Sequence, residues 1–166
     1  MVRAQANIEI ERPTDVVYAF IAEDFARNYP RWSPEVKDLR MLSEGPMRVG
    51  SVARQVRVDQ GRRTESTFKI TRMEPAQRLS FQGTSFPFLV DYRLAAASEH
   101  TRLSFLFELR RIDLMMRPFE KLIRVAVQEG AERTVRNLKR LIEAECMPPR
   151  PRPSGTRPGP DTPDAA

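Results

Sequence analysis

The sequence predicts an α+β domain in which an antiparallel sheet of about seven strands is covered by one long C-terminal helix. Three observations predict it. An N-terminal segment alternates apolar and polar residues with period two. Six further segments of the same kind follow between Val36 and Leu109, separated by turn residues. After Leu109 the apolar spacing changes to that of a helix, and it holds to Glu145.

Around the stretch QANIEIE, Ala4, Ala6, Ile8 and Ile10 alternate with Gln5, Asn7, Glu9 and Glu11, the pattern of a half-buried first strand. Pro13-Thr14-Asp15 then opens a helix, with Thr14 as its expected N-cap and Val16, Val17, Phe20 and Ile21 as its apolar face. The stretch EDFARNYP reads as a second short helix. It is expected to stop before Pro30, because a residue preceding proline avoids helical dihedrals. Trp32, the only tryptophan, would then lie on a loop fenced by Pro30 and Pro34.

Turn signals at Gly45-Pro46, Gly50-Ser51, Asp59 to Gly61, Glu74-Pro75, Gly83 to Pro87 and Ala97 to His100 divide the next region into about six strands. Their apolar alternations are Val52, Val56, Val58; Phe68, Ile70; Leu79, Phe81; Phe88, Val90, Tyr92, Leu94; and Leu103, Phe105, Phe107, Leu109. Tight turns between successive strands make an antiparallel meander with one greasy face. From Asp113 to Glu145, Met115, Phe119, Leu122, Ile123, Ala126, Leu138 and Leu141 recur at helical spacing, so a single long helix is expected to cover that face.

The chain has 166 residues, enough for one domain, here placed at residues 1–146. Residues 147–166 hold seven of the fourteen prolines and almost nothing apolar, and are expected to form a disordered tail. The N-terminus lacks the apolar stretch of a signal peptide and the chain lacks a long apolar run, so a cytoplasmic protein is expected. A net charge of +6 invites a nucleic-acid reading, but the basic residues are scattered and interleaved with acids, and no nucleic-acid partner is expected. Cys146 and His100 are single, which leaves no intrachain disulfide, no Ser-His-Asp device and no histidine or cysteine metal site; no cofactor is expected.

Beyond this order of elements, the stretches IERPTDVVYAFIAEDFARNYPRWSPEVKDLRMLSEGPMRVGS, ITRMEPAQRLSFQG and TRLSFLFELR are similar to phrases that recur in the START-like superfamily, in its SRPBCC group of polyketide cyclase/dehydrase and lipid-transport proteins. The resemblance covers about residues 4–145 and implies the helix-grip fold: a curved antiparallel sheet wrapped on the C-terminal helix, with a hydrophobic pocket between them. Activity does not follow from it, because one scaffold hosts carriers, receptors and enzymes.

The expected pocket wall combines Phe68, Phe81, Phe88, Phe105 and Phe107 from the sheet with Phe119, Ile123, Ala126 and Gly130 from the helix. Small helical residues opposite large rings leave either an open cavity or a well-packed core. Trp32 is then a cap on the pocket's end or an anchor pinning the short helices to the sheet. Tyr92 points its phenol inward. Arg54 shares the phase of Val52, Val56 and Val58, and Ser66 that of Phe68, so these three are candidates to orient a ligand's polar group; an edge-strand bulge would turn Arg54 outward instead. Asp91, Glu65 and Glu108 have the outward phase of solvated partners for arginines. Met115, Met116 and Phe119 make either an adaptable rim or ordinary edge packing. With Arg117, Lys121 and Arg124 beside them, such a rim suits transient contact with an anionic membrane.

These expectations converge on binding or transport of a hydrophobic small molecule such as a lipid, isoprenoid or polyketide-like ring system. The alternative is a polyketide cyclase or aromatase in which Arg54 and Tyr92 assist proton transfer. An interaction module built on the basic helix and tail is a third reading. Oligomeric state is not legible.

Overall fold

The computed structural model describes residues 1–148. The proline-rich tail therefore lies, from residue 149 onward, outside the described residues. Seven strands form one antiparallel sheet: β1 (Val2–Ile10), β2 (Val36–Met41), β3 (Val52–Asp59), β4 (Arg62–Glu74), β5 (Arg78–Gly83), β6 (Phe88–Ala97) and β7 (His100–Leu109). Their spatial order is β1-β7-β6-β5-β4-β3-β2, so only β1 departs from sequence order, closing the meander against β7. The inner face is set by the residues whose alternation was expected: Phe68, Ile70, Leu79, Phe81, Val90, Tyr92, Leu94 and Leu103 are buried.

β3 departs from expectation. Residues directly opposite in a ladder share a face, and the buried Phe68 stands opposite Ala53, Ser66 opposite Gln55, and Thr64 opposite Arg57. The inner face of β3 is therefore Ala53, Gln55 and Arg57, while Val52, Val56 and Val58 face the other side with Arg54. Alternating valines identify a strand without saying which face they occupy.

Two helices follow β1, α1 (Thr14–Tyr18) and α2 (Phe25–Trp32), joined by a π-helical turn at Ala19–Glu23. Thr14 is not the cap. Pro13, extended at φ −67° and ψ 159°, precedes the helix, and its carbonyl accepts from the Val17 N–H at 3.1 Å. Nor does α2 stop before Pro30: it runs on to Trp32, and the Ser33 N–H to Tyr29 carbonyl bond at 3.0 Å closes its last turn. Proline removes one helical hydrogen bond. Against that loss stands the burial of Phe25, Tyr29 and Trp32, which at positions i, i+4 and i+7 share one helix face.

The C-terminal segment is a 3-10 turn at Leu114–Phe119 followed by α3 (Glu120–Glu145). The break falls where Pro118 lacks the N–H that a continuous helix would need. α3 runs parallel to β1 and satisfies its free edge with side chains. Gln128 Nε2 donates to the Gln5 carbonyl at 3.0 Å, Lys139 Nζ donates to the Glu9 carbonyl at 2.8 Å, and the Glu11 N–H donates to Glu143 Oε1 at 3.0 Å. Arg12 closes the far end by donating to the carbonyls of Glu143 and Cys146, both at 2.7 Å, where a cation also suits the helix dipole.

Asp91 has the outward phase expected of it but is not solvated. It is buried under Arg78, whose Nε and Nη2 donate to it at 2.8 and 2.9 Å, with Arg93 at 2.8 Å and the Ser80 hydroxyl also donating. Burial pushes this carboxyl up, but the bonds from Arg78, Ser80 and Arg93 outweigh it and hold the group below the ordinary aspartate range. Because the folded value is the lower one, its stabilisation is complete above the unfolded value of about 4 and is lost as pH falls through the folded value. Asp91→Asn is expected to cost about 1–2 kcal/mol near neutral pH, the two arginines being able to re-solvate, and to flatten the acid limb. Urea unfolding followed across the acid range reads both effects.

Candidate functional site

The space between the sheet and α3 is unequal along its length. At the α2 end it is filled ring against ring. Phe25 stacks on Tyr29 at 4.8 Å between centroids, Phe68 lies 4.5 Å from Phe81, and Trp32 meets Phe25 edge-on at 6.1 Å and Tyr92 at 5.9 Å. The indole N–H of Trp32 donates to the Tyr92 hydroxyl at 3.1 Å, and its carbonyl accepts from Asn137 Nδ2 of α3 at 3.0 Å. Trp32 is 0% exposed and lies on a helix, not on a loop. Its position is that of the anchor pinning α2 between the sheet and α3. Burial pushes the Tyr92 phenol far above its ordinary value, so it stays neutral.

At the other end the cover thins. Along α3, Ile142, Leu138, Val135 and Ala131 are buried, Val127, Ala126 and Ile123 less so, and Leu122 is exposed. β7 shows the same trend from buried Leu103 to half-buried Phe107 and Leu109. These levels coincide: Phe107 lies opposite Ala4 on β1, while Gln128 of α3 bonds the neighbouring Gln5 and Arg124 donates to the Met1 carbonyl at 3.0 Å. Phe88 and Phe107 stack here with centroids 6.3 Å apart, and Phe105 lies 5.1 Å from Tyr92 at the boundary with the filled end. Gly130 has nothing nearer to a would-be Cβ than Arg133 Nη2 at 4.0 Å, so it marks room, not close approach.

The structure thus gathers Trp32, Phe68, Phe81 and Tyr92 into one aromatic cluster that continues to Phe105, and it stacks Phe88 on Phe107; Ile123, Ala126 and Gly130 lie half-buried on the more thinly covered stretch of α3. It leaves two expected residues out. Phe119 precedes α3 and is exposed. Arg54 points away from the interior and donates to Glu65 Oε1 at 2.7 Å, because the inner phase of β3 belongs to its neighbours.

Sequence reasoning named Ser66 but missed the polar strip to which it belongs, at the rim of the filled half. The Tyr29 hydroxyl bonds Gln55 Oε1 at 3.0 Å, Gln55 Nε2 donates to Ser66 Oγ at 3.3 Å, and Arg57 Nη1 donates to the Tyr29 and Ser33 hydroxyls at 3.4 and 3.3 Å. The spacing of Phe25, Tyr29 and Trp32 would have revealed Tyr29, and the strand partner of Phe68 would have revealed Gln55 and Arg57. Two open clefts lie elsewhere. One of about 330 Å³ runs between Gln5–Ile8 and the α3 residues Gln128, Glu132, Val135 and Arg136; the other, about 390 Å³, takes in Arg78, Arg93 and Arg102 on the sheet. Among the described residues no cluster of three or more His, Cys, Asp or Glu side chains is placed to hold a metal ion, and no helix is long and apolar enough to cross a membrane.

This architecture is shared with solved structures. A protein of Thermus thermophilus superposes with a TM-score of 0.74 at 17% identity, over 87% of this chain and 99% of that one. The Zhui aromatase/cyclase of Streptomyces sp. R1128 gives 0.70 at 14%, over 85% and 93%. A START superfamily protein of Mycobacterium smegmatis gives 0.66 at 15%, over 86% and 97%. At such identities the likeness is one of fold. No curated protein sequence matches the chain significantly. The sequence itself carries the assignment further than the fold does: residues 1–143 match the model described as polyketide cyclase / dehydrase and lipid transport, and the protein belongs to that family.

Proposed function

We propose that the protein binds and carries a hydrophobic small molecule in the thinly covered half of the space between sheet and α3, working in the cytoplasm without turnover. The observation that carries this reading is the half-buried apolar wall of Phe107, Leu109, Ile123 and Val127, which helix and sheet approach without sealing. Completing the burial of such a wall is worth about 25 cal/mol per Å² of apolar surface, the natural source of affinity for a lipid-like or ring-like ligand.

The alternative, a cyclase or aromatase acting in the same space, draws on the family description and on the Streptomyces neighbour's name. Against it stand the two side chains it would use: Arg54 is outside in an ion pair, and Tyr92 is neutral, buried and already bonded to Trp32.

Mass spectrometry of small molecules released from protein purified from its native host, with displacement of an apolar dye as a second reading, tests the proposal. An apolar compound is expected in stoichiometric amount. Ile123→Asp, which sets a charge in the open half, is expected to weaken dye binding about tenfold or more. Empty protein together with no dye binding would overturn the reading, as would dye binding indifferent to Ile123→Asp.

A further inference from the structure

We infer that the N-terminal end of α3, together with the 3-10 turn before it, is a docking surface for an anionic lipid bilayer. Leu114, Met115, Phe119, Leu122 and Val125 are 71%, 83%, 51%, 69% and 53% exposed, on a chain whose other large apolar side chains are mostly buried. They do not belong to the core-facing side of the helix. Leu122 precedes the buried Ala131 by nine residues, about two and a half turns, so its side chain leaves the opposite side. Met115, Phe119 and Leu122 follow one another at spacings of four and three residues, and Pro118, in the last turn before α3, lies in their midst. The choice between edge packing and a free rim falls to the rim for Met115 and Phe119, which leave half or more of their surface uncovered, while Met116 is half-buried.

Charge decides what covers them. Between Arg110 and Val125 there are five basic residues and two acidic ones. Arg124 is bonded to Glu120 at 3.1 Å, while Arg110, Arg111, Arg117 and Lys121 have no ion pair among the described residues. Apolar side chains ringed by unpaired cations match a surface that is anionic at its headgroups and apolar just beneath. A second copy of the chain fits worse, since a symmetric contact through this patch would set Arg117 and Lys121 against their own equivalents. The patch adjoins Ile123, where the half-buried wall begins, so a protein docked this way presents that opening to the bilayer. Docking itself does not depend on a ligand being bound there.

Co-sedimentation of the full chain with vesicles tests this; tryptophan fluorescence is no substitute, because Trp32 is buried at the far side of the interior. Vesicles of phosphatidylcholine with about 30% phosphatidylglycerol are expected to bind at least about tenfold more protein than phosphatidylcholine alone, with the difference falling as salt is added. Met115→Ser/Phe119→Ser/Leu122→Ser, which leaves every charge in place, is expected to reduce that binding about tenfold. Arg117→Glu/Lys121→Glu, wholly on the surface, is expected to do the same. Dye binding measured without vesicles is expected to stay unchanged in both variants, which separates this surface from the ligand space. Anionic-vesicle binding that survives the serine substitutions would overturn the inference, as would no vesicle binding at low salt. So would a concentration-dependent dimer that the serine substitutions abolish.

Discussion

Trp32→Ala is expected to destabilise the domain by about 3–5 kcal/mol, the range for deleting a large buried aromatic. For a domain of this size that lowers the midpoint of thermal unfolding by roughly 10 °C, read by circular dichroism because the substitution removes the only tryptophan. The effect has two parts. One is the void left among Phe20, Phe25, Tyr29 and Tyr92, whose ring centroids lie within 6.1 Å of the indole. The other is the lost hydrogen bond to the Tyr92 hydroxyl. Conservative changes separate them. Trp32→Phe keeps most of the volume and is expected to cost less, while Tyr92→Phe leaves the indole N–H buried without its acceptor, at about 1–3 kcal/mol. If the bond matters as drawn, the double variant costs clearly less than the sum of the two singles. Strict additivity would mean that the indole acts by volume alone. Since Trp32 also links α2 to Asn137, loss of its packing is expected to loosen α3 as well.

The same residue shows where sequence reading succeeds and where it stops. Its local rule, that a helix ends before proline, speaks only of one hydrogen bond; the burial of Phe25, Tyr29 and Trp32 is a tertiary effect that overrides it. β4 to β7 were legible because their inner positions are large and apolar, so alternation and facing direction coincide. On β3 they do not coincide: the small Ala53 and polar Gln55 lie inward under the aromatic layer and the valines lie outward, so only the ladder with β4 resolves the face. That single inversion exchanges Arg54 for Arg57 in the candidate site. In α3 the apolar spacing reads as one stripe, yet Leu122 and Ile123 are adjacent residues about 100° apart around the axis. Ile123 is half-buried and Leu122 exposed, and the mixture concealed the exposed patch within the core pattern.

Gly83→Ala is expected to cost about 3 kcal/mol or more, beyond the usual range for adding a single methyl group. Gly83 ends β5 opposite Phe68, with the inward phase of Phe81, so a side chain there would enter the interior. That volume is already taken. A Cβ would lie 1.9 Å from the Phe86 carbonyl oxygen and 2.6 Å from two ring carbons of Phe88. The ring could swing aside, but the carbonyl belongs to a turn tied down by the Phe88 N–H at 2.9 Å, while the Thr84 N–H to Thr67 carbonyl bond at 2.8 Å and the Thr67 N–H to Ser85 hydroxyl bond at 2.9 Å fasten that turn to β4. Relief therefore requires the whole turn from Thr84 to Pro87 to move, carrying Phe88 away from its stack on Phe107. Two readings follow from one substitution: a lower unfolding midpoint and, where the proposed ligand space is walled by Phe88 and Phe107, weaker dye binding. Gly130→Ala is the control, since a methyl group there meets nothing closer than 4.0 Å and alanine is the better helix former by about 1 kcal/mol. It should hold or raise stability. A Gly83→Ala protein as stable as the parent would mean that the turn is far softer than its hydrogen bonds imply, and that Phe88 does not depend on the missing side chain for its place.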